Sequence, residues 1–151
     1  MSANPSRRTL ARSAARLAAV QALYQREMEG TALARLLDEF HQHRLGAVIG
    51  DEQYADVEMT FFDDVVSGVD ARGDEIDLLL SERLAQGWNL ARLDKTMLQV
   101  LRAGAYELLA RADVPVATVI NEYVDVAKAF FDDREAKFVN GVLDAVAKQV
   151  R

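Results

Sequence analysis

Arginine is the residue type whose distribution in this chain points most directly to chemistry. The first 26 residues contain no aspartate or glutamate, and they carry five arginines: Arg7, Arg8, Arg12, Arg16 and Arg26. All 24 acidic residues follow this segment, in a chain whose net charge is −6. Because a guanidinium group binds phosphate oxygens through its planar fork and also stacks on bases, the segment is a candidate for nucleic-acid binding.

A helix is needed to bring these arginines together. On an α-helix, Arg8, Arg12 and Arg16 form a ridge along one side. Leu10, Leu17, Val20 and Tyr24 are then predicted to face the core, and a strip of small residues beside the ridge lets a nucleic-acid backbone approach: Ala11, Ala15, Ala18 and Ala22. We expect both Arg12→Ala and Arg16→Ala to change the free energy of unfolding by less than about 1 kcal/mol, as at exposed positions. The alternative is that the ridge pairs with acidic residues of the same protein.

The residue pairs that suggest enzyme chemistry are poorly placed for it. Asp63-Asp64 and Asp132-Asp133 are sequence neighbours, and neighbours on a helix point about 100° apart. His41 and His43 diverge in the same way, so a shared metal ion is not expected. The chain has no Walker loop and no glycine-rich dinucleotide motif. We therefore predict no catalytic residues, no metal and no cofactor.

The composition is that of a globular domain. The chain has 151 residues, half of them apolar and 28% charged, and no cysteine. Its length corresponds to one domain, and the lack of cysteine is typical of a reducing cytosol. No apolar run approaches the 18 residues of a membrane span. The expectation is a single cytoplasmic domain, residues 1–151, with no membrane contact.

The apolar spacing predicts helices almost throughout, with no strand. A loop is expected at about residues 45–56, and a turn at Asp70–Asp74 with Asp74 near the next helix start. Pro115 is expected in the first turn of a helix. Asn140-Gly141 lies within helical spacing, so Gly141 is expected to permit close helix packing. The predicted fold is all-α, with about seven helices.

Several segments in order resemble the NusB family of bacterial transcription antitermination factors. The matching start is Arg12-x-x-x-Arg16-x-x-Ala19-Val-Gln21-Ala-Leu23-Tyr24. The middle of the chain matches in Leu101-Arg102-x-x-x-Tyr106-Glu107-Leu108, Asp113-Val-Pro115, Ile120-Asn121-Glu122 and Ala127-Lys128. The last matching segment is Lys137-Phe138-Val139-Asn140-Gly141-Val142-Leu143. The resemblance runs from residue 7 to 150.

This resemblance implies a single NusB-like domain made of two packed helical subdomains. It also implies a role in ribosomal RNA transcription. Proteins of this family bind single-stranded boxA RNA together with NusE, a small-subunit ribosomal protein, within the RNA polymerase antitermination complex. They are not enzymes.

Six residues are carried over as candidate RNA contacts. Arg12 and Arg16 lie on the matched first helix, Arg7 and Arg8 extend the patch, and Arg134 and Lys137 lie at the start of the last helix. The role of two other residues is open, since each could pack in the fold or contact RNA. We expect Tyr24 to pack in the core and Arg102 to be a paired structural arginine.

The competing hypothesis is a helical protein-interaction module that does not bind RNA. In that case the arginine ridge docks on an acidic partner or on a second copy of the chain.

Overall fold

The fold is built from seven α-helices in the described part of the chain. The computed structural model describes residues 5–42, 52–85 and 87–151, with side chains from residue 9 in the first range and from residue 58 in the second. The helices are α1 (Pro5–Glu29), α2 (Leu33–Phe40), α3 (Glu52–Ala71), α4 (Gly73–Ser81), α5 (Lys95–Ala110), α6 (Val116–Phe130) and α7 (Asp133–Val150), with a 3₁₀ helix at Leu90–Arg92 between α4 and α5.

The predicted all-α class is confirmed, and no strand occurs in these ranges. The loop expected at about residues 45–56 is wrong for its last five residues, because α3 begins at Glu52. Residues 45–51 of that loop lie outside the described residues. The turn expected at Asp70–Asp74 is confined to Arg72, because α3 continues to Ala71 and α4 begins at Gly73. The predicted helix start near Asp74 is confirmed. No helix in the described ranges is long and apolar enough to cross a membrane.

Short polar side chains begin two of the helices. Asp94 accepts hydrogen bonds from the backbone N–H groups of Thr96 and Met97 at the start of α5. Asp132 accepts one from Arg134 N at the start of α7. These carboxylates satisfy N–H groups that have no partner within the helix. Pro115 directly precedes α6, in extended backbone conformation.

The chain divides into two compact units, residues 1–67 and 68–151. In the first unit, α1 packs on α2, and the rings of Phe40 and Phe62 stack with centroids 5.5 Å apart. In the second unit, α5, α6 and α7 pack against one another and α4 packs on α5. The two-part organisation agrees with the predicted subdomains, and the single domain over residues 1–151 stays a prediction.

Close helix packing in the second unit depends on Gly68 and Gly104. A Cβ atom on Gly68 would lie 2.2 Å from the ring of Tyr106, and one on Gly104 would lie 2.7 Å from Leu143 Cδ1. Gly141 is exposed, and a Cβ atom there would meet nothing within 4 Å. The predicted packing role of Gly141 is therefore wrong, because its side of α7 faces open space.

Arg102 is a paired structural arginine, as predicted. Its Nε and Nη2 donate to the two carboxylate oxygens of Asp77, both at 2.8 Å. The side chain is 19% exposed, and the parallel two-bond arrangement is the strong form of this ion pair. Arg102 thus joins α5 to α4 within the second unit.

Candidate nucleic-acid interface

The buried side of α1 differs from the predicted one. Its core-facing surface is formed mainly by small residues, namely Ala11, Ala15, Ala18, Ala19, Val20, Ala22 and Leu23. Leu10 is 69% exposed and Tyr24 is 39% exposed, so the prediction that they pack in the core is wrong, whereas Val20 is buried as predicted. The prediction that the alanine strip lets a nucleic-acid backbone approach is also wrong, because its four alanines are buried. Small side chains let the backbone of α1 approach its neighbours closely, and this favours an alanine face over a leucine face.

Arg16 lies on this buried face. It is 2% exposed, and its guanidinium carbon lies 4.9 Å from the ring centroid of Phe61 on α3. It takes part in further interactions as well. The prediction of an exposed arginine ridge is therefore wrong at Arg16, because this residue lies on the buried alanine face of α1. RNA contact by Arg16 stays a prediction.

Arg12 lies one turn earlier and is more accessible. Its side chain is 23% exposed, and its Nε lies 3.5 Å from Oε2 of Glu58. Its guanidinium carbon is 4.4 Å from the Phe61 ring centroid. The alternative that the ridge pairs with the protein's own acids thus holds for Arg12, while part of its side chain remains open to solvent.

Glu58 and Phe61 complete this cluster, and sequence reasoning missed both. Glu58 is fully buried and Phe61 is 2% exposed. Within the described part of the chain, no hydrogen-bond donor reaches Glu58 Oε1. A signal was available, because Glu58 is in helical register with Phe62 and Val65 on the apolar face of α3. An acid on an apolar face indicates a buried charge that needs a cationic partner.

The remaining arginines of the N-terminal segment have different surroundings. Arg7 and Arg8 lie in α1, and their side chains lie outside the described part of the structure. Arg26 donates from Nη1 to the carbonyl oxygen of Thr31 at 2.7 Å, just beyond Gly30, whose φ is +70°. Arg26 therefore stabilises the end of α1.

Arg134 and Lys137 are both exposed in the first two turns of α7. Lys137 lines a surface groove of about 360 Å³ between α6 and α7, together with Val124, Lys128, Asp133, Ala136 and Asn140. Two lysines and an asparagine give this groove donors for phosphate oxygens, opposed by one carboxylate. Arg134 and Lys137 thus belong to the second unit, whereas Arg12 and Arg16 belong to the first.

The acidic and histidine pairs have structural partners. His41 Nε2 lies 2.5 Å from Asp63 Oδ1, and His43 lies outside the described residues. The pKa of the Asp132 carboxyl is lowered by a hydrogen bond with Glu135 and by backbone N–H groups of the first turn of α7. In residues 5–42, 52–85 and 87–151, no cluster of three or more His, Asp or Glu side chains is arranged to hold a metal ion.

Comparison with known proteins gives a consistent result. The NusB family model matches residues 13–148. The transcription antitermination protein NusB of Novosphingobium aromaticivorans is 75% identical over 141 residues, covering 93% of this chain and 95% of that protein. The protein of the same name from Sphingopyxis alaskensis is 64% identical over 146 residues, covering 97% of this chain and 98% of that protein.

Solved structures resemble the fold over most of its length. T. maritima NusB has a TM-score of 0.77 at 34% identity, covering 91% of each chain. A chain in a crystal structure of antitermination factors NusB and NusE in complex with double-stranded RNA has a TM-score of 0.77 at 26% identity. That likeness covers 92% of this chain and 97% of the other.

Proposed function

The chain belongs to the NusB family, and we propose that it is a transcription antitermination factor that binds RNA together with NusE. The observation that supports this most strongly is 75% identity to a transcription antitermination protein over nearly the whole of both chains. The structural likeness to a NusB chain crystallised with NusE and RNA supports the same two partners. The RNA we propose is the single-stranded boxA element of ribosomal RNA transcripts, bound within the RNA polymerase antitermination complex.

The proposed RNA contacts are the accessible cations. In the first unit, part of the Arg12 side chain is exposed. Arg7 and Arg8 precede it on the same helix. In the second unit, Arg134 and Lys137 are exposed. Arg16 supports Arg12 by packing α1 against Phe61. Single-stranded RNA is held in this way by phosphate contacts and by stacking on guanidinium planes.

The charge distribution supports a protein partner. With 24 acidic residues after position 26, most of the chain repels RNA and attracts a basic ribosomal protein. We propose that the protein is a binding adaptor in the cytoplasm, where transcripts are made, and that it catalyses no reaction.

The test is the binding of a short boxA-like RNA, measured by fluorescence anisotropy with and without NusE. We expect NusE to tighten binding, and we expect the single-stranded form to bind more tightly than a duplex of the same sequence. Scrambling the RNA sequence is the control for non-specific binding. Failure to bind either RNA in the presence of NusE would contradict the proposal and favour the interaction module, in which the Arg12–Glu58 ion pair only stabilises the fold.

A further inference from the structure

Arg12 and Arg16 converge on one aromatic ring. Their guanidinium carbons lie 4.4 and 4.9 Å from the centroid of Phe61. Two cations that lie against the same ring repel each other, and this repulsion is offset by negative charge or electron density close by. The face of the Phe61 ring supplies part of it, since a cation over an aromatic face is attracted by the ring quadrupole.

Glu58 supplies negative charge beside Arg12. Its carboxylate is fully buried and approaches Arg12 Nε through Oε2. Burial of a carboxylate is costly unless a cation offsets it, and removal of the cation leaves the charge uncompensated. The Arg12 guanidinium therefore contacts both a buried anion, through Nε, and the face of a buried ring.

The contact leaves the other end of the Arg12 guanidinium available. Glu58 approaches Nε, and Nη1 and Nη2 of Arg12 make no hydrogen bond with the described residues. The side chain keeps 23% of its surface exposed. A guanidinium fixed at Nε retains its two Nη groups for a phosphate, in the fork geometry that suits two oxygens.

We propose that Glu58 and Phe61 are positioning residues for RNA binding: they fix Arg12 on α1 so that its Nη groups face a phosphate group of the RNA. Neither residue touches RNA. An arginine that is already held in place loses less rotamer entropy on binding than a free one. Glu58 therefore increases RNA affinity, although its negative charge alone would repel RNA. This inference rests on the proposed function.

The test is a double-mutant cycle between Glu58→Gln and Arg12→Ala, measured as affinity for a short single-stranded boxA-like RNA in the presence of NusE. Glu58→Gln keeps the side-chain volume and removes the charge that holds Arg12. We expect it to weaken binding about threefold to tenfold in the wild-type background and to have no further effect in the Arg12→Ala background. A purely structural role would weaken binding equally in both backgrounds.

The matched control is Glu29→Gln, which removes one exposed acid from the same unit, at the far end of α1. It reports the general effect of lower negative charge, which is tighter RNA binding. Phe61→Leu is the second variant, since it keeps an apolar side chain and removes the ring face; its effect should also vanish with Arg12→Ala. Fractions folded are measured for every variant.

The outcomes separate the two proposals. If the wild-type protein with NusE binds no RNA, the proposed function fails. If it binds, and Glu58→Gln binds as tightly as Glu29→Gln or more tightly, Glu58 does not position Arg12 and the inference is overturned. Equal effects of Glu58→Gln with and without Arg12 would overturn it as well.

Discussion

Arg12 and Arg16 are one helical turn apart and contact the same ring, yet they differ in what they can reach. Arg12 keeps 23% of its side chain exposed, whereas Arg16 is 2% exposed. At the scale of single residues, the two arginines therefore differ in accessibility: part of the Arg12 side chain reaches solvent, and Arg16 is buried against Phe61.

Because Arg16 is buried, its replacement by alanine should lower the free energy of unfolding by about 2 kcal/mol or more, in place of the change of less than about 1 kcal/mol expected for an exposed position. The substitution removes a desolvated cation–π contact, and it also removes the packing of a long aliphatic stem. Urea unfolding followed by circular dichroism measures the change. Arg35→Ala on α2 is the matched comparison and should cost much less, because Arg35 is exposed and its ion pair with Glu39 lies at the surface. Equal stability of Arg16→Ala and wild type would contradict the buried position of Arg16.

Gly68→Ala should lower the free energy of unfolding by about 1–3 kcal/mol, because the new methyl group would overlap the Tyr106 ring. Gly141→Ala should raise it by up to about 1 kcal/mol, since alanine favours a helix and the space is open. Thermal or urea unfolding of the two variants gives the comparison. A neutral Gly68→Ala would show that Tyr106 moves aside without cost.

At the scale of elements, the position of α1 in the chain was predictable and its orientation was not. The helical spacing and the lack of acids located the helix. Its core side was predicted from the positions of the larger apolar residues, and this gave the wrong side for Leu10 and Tyr24. Ala15, Ala19 and Ala22 are fully buried because close packing rewards small side chains. Leu10 and Tyr24 carry more apolar surface, yet they lie outward.

The end of α5 is held by the last residue described, Arg151. Its guanidinium donates to four backbone carbonyl oxygens, those of Glu107, Leu108, Arg111 and Val114. Leu108 lies in the last turn of α5, where carbonyl groups have no partner within the helix, whereas the Glu107 and Arg111 carbonyls also accept from Arg111 N and Val114 N. We expect Arg151→Ala to cost about 1–3 kcal/mol of unfolding free energy.

Arg151→Lys is the control, since it keeps the charge and lacks the planar fork. It should recover only part of the lost stability in the same unfolding measurement. If Arg151→Ala unfolds at the same urea concentration as wild type, the four hydrogen bonds do not contribute to stability.

At the scale of the whole molecule, the family motifs and the helical periodicity predicted the fold class and Arg102's structural role. The cluster of Glu58 and Phe61 with Arg12 and Arg16 could not be predicted, because it depends on which side of α3 packs against α1. Periodicity gives the side of a helix that is buried, but not the partner that buries it. For the same reason Gly141 was given a packing role that belongs to Gly68 and Gly104.

The single-domain prediction has a direct test. We expect both units to unfold in one transition, because a unit of 67 residues buries too little surface to be more than marginally stable alone. The only tryptophan, Trp88, lies in the second unit and reports on that unit alone, while circular dichroism reports on both. Coincident urea transitions support one domain. An earlier transition by circular dichroism would show that the first unit unfolds by itself.

The measurement that tests the central claim most directly is RNA affinity across a salt series, with NusE present. About three phosphate contacts predict that log K falls with log salt concentration at a slope near −2, since each contact to a single strand contributes about −0.7. Arg12→Ala should bring the slope closer to zero by about 0.7. RNA affinity that is independent of salt, or a slope unchanged by Arg12→Ala, would contradict the claim that Arg12 binds a phosphate group of the RNA.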